Sequence, residues 1–436
     1  MAGKTASGAI RLAMLALVLW PVVPLGAGLS AGLPGDAAAW LGWLGRACGV
    51  VGLAWLLLAM VLSIRLPRWD QALGGLLKLW RFHHLLGAGS FLLLMLHPLL
   101  LALAAVPGGP AGVLATLTPP VGAWPVWAGW AALVLMMVFL APSFSFFGPP
   151  DYQRWKWLHR LSGAAVVLGL VHTLALSRTL GPASAAWVWG GVTALALVAF
   201  VWRLGLSRRF ARRRYRISRV ELLAERVVEL TLEGPPLAYD AGQFVYLAPL
   251  DPALAAGRGE EHPYSLVSAP HESALRIAIK DLGDASAALM HVTVGSDVTV
   301  EGPYGRFLPR RHDQPALWIG GGIGMTPFVS AARGFAVQSE SVDVQLVYCA
   351  NDPSRAYYLR ELEDIAAERP GFVVHAHYFA DEGPLSPAFL ESRVADFRQR
   401  DVYVCGPAPL LALVERLLRH EGVPRRRIVM EEFDLL

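Results

Sequence analysis

Five histidines lie in stretches where a polar side chain is costly. RFHHLLGAGSFLLLMLHPLL (81–100) carries His83, His84 and His97, and WLHRLSGAAVVLGLVHTLAL (157–176) carries His159 and His172. An ionisable ring in hydrocarbon usually has a functional reason to be there. Neutral imidazole can present one ring nitrogen to a transition metal, haem iron included. His83 and His97 are fourteen residues apart. On a helix that is about 21 Å along the axis and within about 40° of one face. His159 and His172 are thirteen apart, which leaves them about 140° out of line on an ideal helix. A distortion near Gly163 or Gly169 is expected to bring them round.

The elements that must position these rings are membrane spans. The chain has 436 residues, is 55% hydrophobic and has a mean hydropathy of +0.44. Fourteen of the fifteen Trp lie at or before Trp202. Six apolar stretches are long enough for a bilayer: about 10–30, 41–64, 82–106, 124–146, 158–177 and 185–206. The first is also readable as a cleavable signal peptide, because Lys4 and Arg11 precede it and GAGLSAG follows. Basic residues cluster in alternate connections: Arg65, Arg68, Lys78 and Arg81, then Arg154, Lys156 and Arg160, then the run SRRFARRRYRISR (207–219). The loop VPGGPAGVLATLTPPVG (106–122) has no charge at all. The positive-inside rule then puts both termini on the cytoplasmic side of a multi-pass inner-membrane protein. Trp124, Trp127, Trp187 and Trp189 would form the outer aromatic belt, with Trp155 and Trp157 in the inner one.

In that topology the third and fifth spans both start at the cytoplasmic side, each with one inner and one outer imidazole. His83 with His159 and His97 with His172 could hold two six-coordinate haems, one above the other. His84 is an alternative inner ligand. Lacking a CxxCH motif, such haems would be non-covalent, b-type. Any one of these rings is as readily a hydrogen-bonded packing residue.

Net charge is +4. Much of the excess sits in 207–219, directly after a hydrophobic span, and reads as a juxtamembrane anchor rather than a nucleic-acid patch. The three cysteines, Cys48, Cys349 and Cys405, form no CxxC pair. They imply no disulfide framework, zinc site or Cys-ligated cluster.

Beyond residue 212 the pattern changes to short alternating runs: RVVELTLEG, GQFVYLAPL, ALRIAIKDLG and DVTVEGPYGRF. This predicts a small antiparallel barrel. Its segment HPYSLVSAP (262–270) can lay Tyr264 and Ser265 against a flavin. IKDLGDASAAL (279–289) offers Lys280 and a turn at Gly283 for a pyrophosphate. PALWIGGGIGMTPFVSAA (315–332) then runs from a strand into glycines, with Thr326 as N-cap and Pro327 at the first helical position. Gly320, Gly321, Gly322 and Gly324 would let backbone N–H groups approach a phosphate. The strands and helices that follow alternate as a parallel α/β sheet.

The first half resembles the ferric reductase-like transmembrane domain shared by NADPH oxidases and ferric-chelate reductases. RFHH with the step to His97 resembles that family's third-helix ligand pair, and His159 with His172 its fifth-helix pair. GRACG around Arg46 resembles the oxidases' outer-haem pocket. The animal oxidases carry a further histidine where this chain has Leu101. The second half resembles the ferredoxin–NADP reductase superfamily. His262, Pro263, Tyr264 and Ser265 resemble its flavin motif and GPYG (302–305) its domain junction. GGGIGMTPF resembles its pyridine-nucleotide loop. Cys405, Gly406 and Pro407 resemble its nicotinamide-side turn, and Phe433 stands where the family often stacks an aromatic ring on the flavin.

The resemblance implies a multi-domain chain: a six-helix haem-binding bundle (1–206), an antiparallel FAD-binding barrel (207–311) and a parallel-sheet NAD(P)-binding domain (312–436). It implies a transmembrane oxidoreductase. NAD(P)H would reduce FAD, and electrons would pass through two b-type haems to oxygen, giving superoxide, or to a ferric or cupric chelate. Arg46, Cys405 and Phe433 are the candidate catalytic residues. Ser354, Arg355 and Arg360 favour NADPH over NADH, although a solvated basic helix face explains them equally. Rival expectations are a haem-free membrane-anchored flavin reductase and a transporter with a nucleotide-sensing domain. The latter gets little support from spans without acidic residues. No protein subunit is evident as an obligatory partner.

Overall fold

The computed structural model describes residues 33–65, 75–143, 152–176, 183–335 and 341–432, together with residues 16, 18, 19, 29 and 337. Most of the expected first span, and Phe433, lie outside the described residues. The chain divides into two compact units, Met1–Ser207 and Arg208–Leu436.

Among the described residues of the first unit four helices are long and apolar enough to cross a membrane: Ala37–Leu62, Lys78–Ala104, Trp124–Ser143 and Arg154–Leu176. Helix α1 (Ala37–Leu62) starts at Asp36, whose carboxylate accepts the Ala39 N–H at 2.7 Å. It packs antiparallel on α2 (Leu76–Ala104). Gly42, Gly45, Gly49 and Gly52 form a small-residue stripe on α1 that lets the backbones approach. Three side chains of α2 then reach carbonyls of α1. His83 meets Ala59 at 2.8 Å, Ser90 meets Gly52 at 2.8 Å and His97 meets Gly45 at 2.7 Å. Both sets step by seven residues, two helical turns, so one face of each helix carries the whole seam.

A short uncharged helix, α3 (Gly109–Leu117), leads to α4 (Trp124–Leu140). Helix α5 (Tyr152–His159) and α6 (Ser162–Leu176) make up the fifth expected span, and α7 (Ala183–Val201) follows. The distortion expected at Gly163 or Gly169 occurs instead at Arg160–Leu161, directly after His159. There the N–H groups of Arg160, Leu161 and Gly163 bond three residues back, to Trp157, Leu158 and Arg160. Such a tightened turn advances about 120° per residue instead of about 100°. That winds His172 on toward the face of His159. Gly163 serves packing, because a Cβ there would strike the Phe200 ring.

The second unit begins with a barrel. Its strands are β1 (Arg212–Ala224), β2 (Val227–Glu233), β3 (Phe244–Pro249), β4 (His262–Ser265), β5 (Leu275–Lys280) and β6 (Asp297–Tyr304). All pairings are antiparallel, in the order β4-β3-β6-β1-β2-β5. A bridge between Leu266 and Ile277 brings the chain after β4 against β5. The basic run is therefore not a free tail: from Arg212 it is β1, and Arg212 turns inward to Glu261 and Glu301.

The nucleotide fold follows with β7 (Ala316–Gly321), β8 (Val344–Ala350), β9 (Phe372–Tyr378), β10 (Asp401–Gly406) and β11 (Ile428–Glu432). The sheet is parallel, in the order β11-β10-β7-β8-β9. Chain direction of travel thus reverses between β7 and β10, the switch point at which such sheets hold ligands. Trp318, the one tryptophan past residue 202, is fully buried at its centre. It stacks on Phe328 at 5.2 Å and Phe335 at 5.9 Å.

Candidate functional site

The first unit gathers its histidines into two pairs. His83 and His159 have ring centroids 6.1 Å apart, and so do His97 and His172. His84 is exposed and lies 5.7 Å from His83. Since a carbonyl can only accept, the contacts of His83 and His97 put their proton on Nδ1. His172 does the same toward the Pro125 carbonyl at 2.8 Å. Each of these three rings keeps its Nε2 lone pair free for a metal. His159 is held differently. Trp155 lies 5.0 Å from it at a 31° tilt and Phe139 meets it edge-on at 5.3 Å. Its buried Nδ1 has no hydrogen-bond partner among the described residues.

Two glycines make room for the outer pair. A Cβ on Gly49 would lie 2.9 Å from His97 Nδ1, and one on Gly129 would lie 2.6 Å from His172 Nδ1. Any side chain there displaces a ring. Arg46 is exposed and follows Gly45, the residue whose carbonyl holds His97. Leu101 packs on Gly45, its Cδ2 3.0 Å from where a Cβ would stand.

A first-row metal about 2 Å from each of two imidazole nitrogens holds the ring centroids on the order of 6 Å apart. The two pairs fit that spacing. Among the described residues no three His, Cys, Asp or Glu side chains converge on a point. A six-coordinate haem asks for just two protein ligands.

In the barrel, β4 is an edge strand whose register pairs Ser265 with Phe244, Tyr264 with Val245, Pro263 with Tyr246 and His262 with Leu247. Ser265 is buried, and burial pushes the Tyr264 phenol up. His262 Nε2 lies 3.4 Å from Glu260. Lys280 ends β5, and Gly283 precedes the short helix α8 (Asp284–Leu289). The hydroxyl of Ser286, unnoticed in the sequence, accepts the N–H groups of Leu282 at 2.8 Å and Gly283 at 2.9 Å. It, rather than a ligand, shapes that turn.

The glycine loop shows a division of labour. Side chains on Gly320, Gly321 or Gly324 would run into the protein itself: Met325 and Phe328, Leu410, and the backbone of Cys405 and Gly406, respectively. Gly322, at φ +57°, faces open space. Close packing by itself already requires glycine at three of the four positions. Thr326 does not act as an N-cap. A 3₁₀ turn (Gly322–Met325) runs straight into α9 (Thr326–Phe335), and the Thr326 hydroxyl donates to the Ile323 carbonyl at 2.9 Å. Pro327 follows as the second residue of α9.

Across the switch point, Cys405 and Gly406 end β10, and Pro407 precedes α11 (Ala408–His420) once α10 (Leu359–Glu368) has covered β8 and β9. Burial raises the Cys405 thiol well above its ordinary value. A thiol so raised favours its protonated form. Beside it in register stands Glu431, whose carboxyl burial raises to about 8. The sequence does not reveal it, because only the β10–β11 pairing buries it. Glu431 also approaches Gly305 of the GPYG junction, 3.9 Å from where a Cβ would stand. A cavity of about 820 Å³ elsewhere in the barrel, with Arg214, Asp251, Arg258 and Asp297 in its wall, contains none of these residues.

Three families match the chain in tandem. Residues 48–170 match the ferric reductase like transmembrane component, 212–307 an FAD-binding domain and 318–416 an oxidoreductase NAD-binding domain. The chain has the ferric reductase and NADPH oxidase-like architecture. The ferric reductase-like match contains His83, His97 and His159 and ends two residues before His172. The chain also resembles proteins named as reductase components. It is 31% identical over 212 residues to the glycine betaine monooxygenase reductase subunit of Chromohalobacter salexigens, covering 45% of this chain and 56% of that one. It is 30% identical over 212 residues to the ferredoxin reductase component of 3-ketosteroid-9-alpha-monooxygenase from Mycobacterium tuberculosis, covering 47% and 58%. The chain thus spans a little over half the length of these curated relatives. Among solved structures, the flavohem-like FAD/NAD-binding domain of a Vibrio cholerae nitric oxide dioxygenase aligns with a TM-score of 0.45 at 24% identity, over 50% of this chain and 98% of that one.

Proposed function

We propose that this protein is a transmembrane oxidoreductase that takes electrons from cytoplasmic NAD(P)H and delivers them to an acceptor on the outer side. The reading is supported above all by two imidazole pairs, each at 6.1 Å, in an apolar helical unit joined to matched FAD- and NAD-binding domains. The names of the relatives describe reductase components, which agrees with electron delivery by the second half.

When bound, FAD would split a two-electron donor into single electrons, and two b-type haems would carry these across the hydrocarbon. The residues have separable parts in this. His262, Pro263, Tyr264 and Ser265 offer the flavin an edge strand, with Lys280 and the Gly283 turn for its pyrophosphate. Gly322 leaves backbone open for the nucleotide phosphates, with Thr326 and Pro327 starting the helix behind it. Cys405, Gly406 and Pro407 close the nicotinamide side, and Phe433 is assigned to the flavin face. His83 with His159 would hold the inner haem, and His97 with His172 the outer one. The geometry favours His83 over His84, since His83 is both tied to Ala59 and within 6.1 Å of His159.

The proposed organisation is a six-span bundle (1–206), an FAD barrel (207–311) and an NAD(P) domain (312–436), with both termini cytoplasmic by the distribution of basic loops. The proposed acceptor is oxygen: one NAD(P)H reduces two oxygen molecules to two superoxides, releasing NAD(P)+ and one proton. Arg46, beside the residue that anchors His97, is placed to favour developing negative charge. Leu101 favours a second reading, a ferric or cupric chelate as acceptor, because it stands where the animal oxidases carry a further histidine. Reduction of an external tetrazolium dye separates the two. Superoxide dismutase abolishes it if oxygen is the acceptor and leaves it unchanged if electrons pass to the added chelate or dye directly.

A further inference from the structure

Between the barrel and the nucleotide fold lies a buried polar cluster that ties the two together. Arg333, near the C-terminus of α9, is 8% exposed and Glu229, on β2, is 6% exposed. The Arg333 guanidinium donates to Glu361 at 2.5 and 2.9 Å and to the Val267 carbonyl at 3.1 Å, and lies 3.6 Å from Glu229. Tyr358 donates to Glu229 at 2.7 Å. Arg276 joins Glu229 at 3.4 Å and Glu272 at 2.7 Å. One turn before Arg333, the Ser330 hydroxyl donates to the Ser268 carbonyl at 2.6 Å.

The location gives this cluster its meaning. Val267 and Ser268 follow the flavin strand by two and three residues. Helix α9, which carries Ser330 and Arg333, begins at the end of the glycine loop. One rigid ten-residue helix therefore joins the expected nucleotide phosphates at one end to the backbone of the expected flavin strand at the other. An apolar contact would hold the two folds together at least as firmly, because buried ion pairs seldom exceed apolar packing in stability. Directional bonds to two consecutive carbonyls fix a distance and an angle, which apolar packing does not.

We infer that Arg333, with Ser330, Glu229 and Tyr358, is a positioning cluster that sets the glycine loop, and with it the bound nucleotide, against the flavin strand for hydride transfer. This rests on the proposal that NAD(P)H reduces a flavin on β4. Arg333 touches neither partner of that reaction. It acts through α9 and through the carbonyls of Val267 and Ser268.

The test is anaerobic stopped-flow reduction of the flavin in the full-length, FAD-loaded protein, with NADH and NADPH in turn. The limiting rate and the apparent Kd are read separately. A misplacement on the order of 1 Å far from the chemistry can cost up to a hundredfold. Arg333→Met is expected to lower the limiting rate roughly tenfold or more, with apparent Kd and FAD content little changed. Arg333→Lys should restore part of the rate. Tyr358→Phe keeps the ring packing and should show a smaller loss of the same kind, which guards against misfolding of the first variant. The inference is overturned if Tyr358→Phe and Arg333→Lys reduce flavin at the unmodified rate. It is also overturned if rate and FAD content fall while the apparent Kd rises, since that is loss of structure. If the unmodified protein fails to reduce its flavin with either nucleotide, the electron-donor reading fails first and takes this inference with it.

Discussion

The two halves of the molecule hold their functional groups by opposite means. In the membrane unit, three of the four paired histidines are tied by Nδ1 to helix carbonyls, at 2.7 to 2.8 Å, and no charged side chain is among those partners. In the second unit the glycine loop is wedged by the Cys405–Gly406 backbone, and its helix is fastened by Arg333, Glu229, Glu361 and Tyr358. Solvent explains the difference. A bilayer charges heavily for an unpaired ion, so orientation there comes from backbone acceptors and from glycine clearances. A water-bounded domain can bury an ion cluster and keep its outer members, such as Glu361 at 39% exposure, partly hydrated.

The comparison breaks most readily at the glycine clearances. Gly129→Val puts a side chain where a Cβ already lies 2.6 Å from His172 Nδ1. The expected outcome is loss of one of the two haems with all four histidines intact, read as haem per chain from the pyridine haemochrome. Gly122→Ala is the control, since it meets nothing within 4 Å. The ion cluster is the next largest. Glu229→Ala leaves Arg333 with Glu361 alone for a carboxylate and the buried Tyr358 hydroxyl without its acceptor, which should cost about 1–3 kcal/mol. Flavin fluorescence released on heating the full-length protein reports it.

A third prediction concerns pH. His312 is buried between Trp318 and Phe335, and burial lowers its imidazole to about 4. The unfolded chain takes up that proton near pH 6.5, while the folded chain resists it. Stability should therefore fall as pH drops from about 6.5 to 4, by up to about 3 kcal/mol. Glu431 works in the opposite sense. Its carboxyl is raised to about 8, so stability falls as pH rises from its ordinary range through 8. Thermal midpoints across pH 4–9 should show His312→Phe flattening the acid limb and Glu431→Gln the alkaline limb. The smallest effect is Ser90→Ala, which removes the middle bond of the α1–α2 seam and should cost about 1 kcal/mol in thermal stability of the helical unit.

Much of this was visible in the residues, for a physical reason. Apolar runs, basic loops and turn glycines are local, and local signals survive without partners. So the four described spans, the barrel and the parallel sheet follow the expected order. Whatever depends on a partner did not show. The phase error between His159 and His172 was legible, and so was a distortion near Gly163, but its place at Arg160–Leu161 was not, because the tightening shows only in backbone bonds. That Met325, Phe328, Leu410 and Cys405 exclude a side chain at Gly320, Gly321 and Gly324 was not legible either, because those neighbours come from elsewhere in the fold. Gly49 and Gly129 look like ordinary span glycines until the opposite helix brings an imidazole. Glu431 and Arg333 look like surface charges until β10 and the barrel cover them.

The most direct measurement is an anaerobic visible spectrum of the purified, haem-replete protein before and after NADPH. The account predicts sharp reduced b-haem bands after nucleotide addition, as electrons pass through flavin to both imidazole pairs. Bleaching of flavin with no haem band in any state would contradict it and leave an anchored flavin reductase.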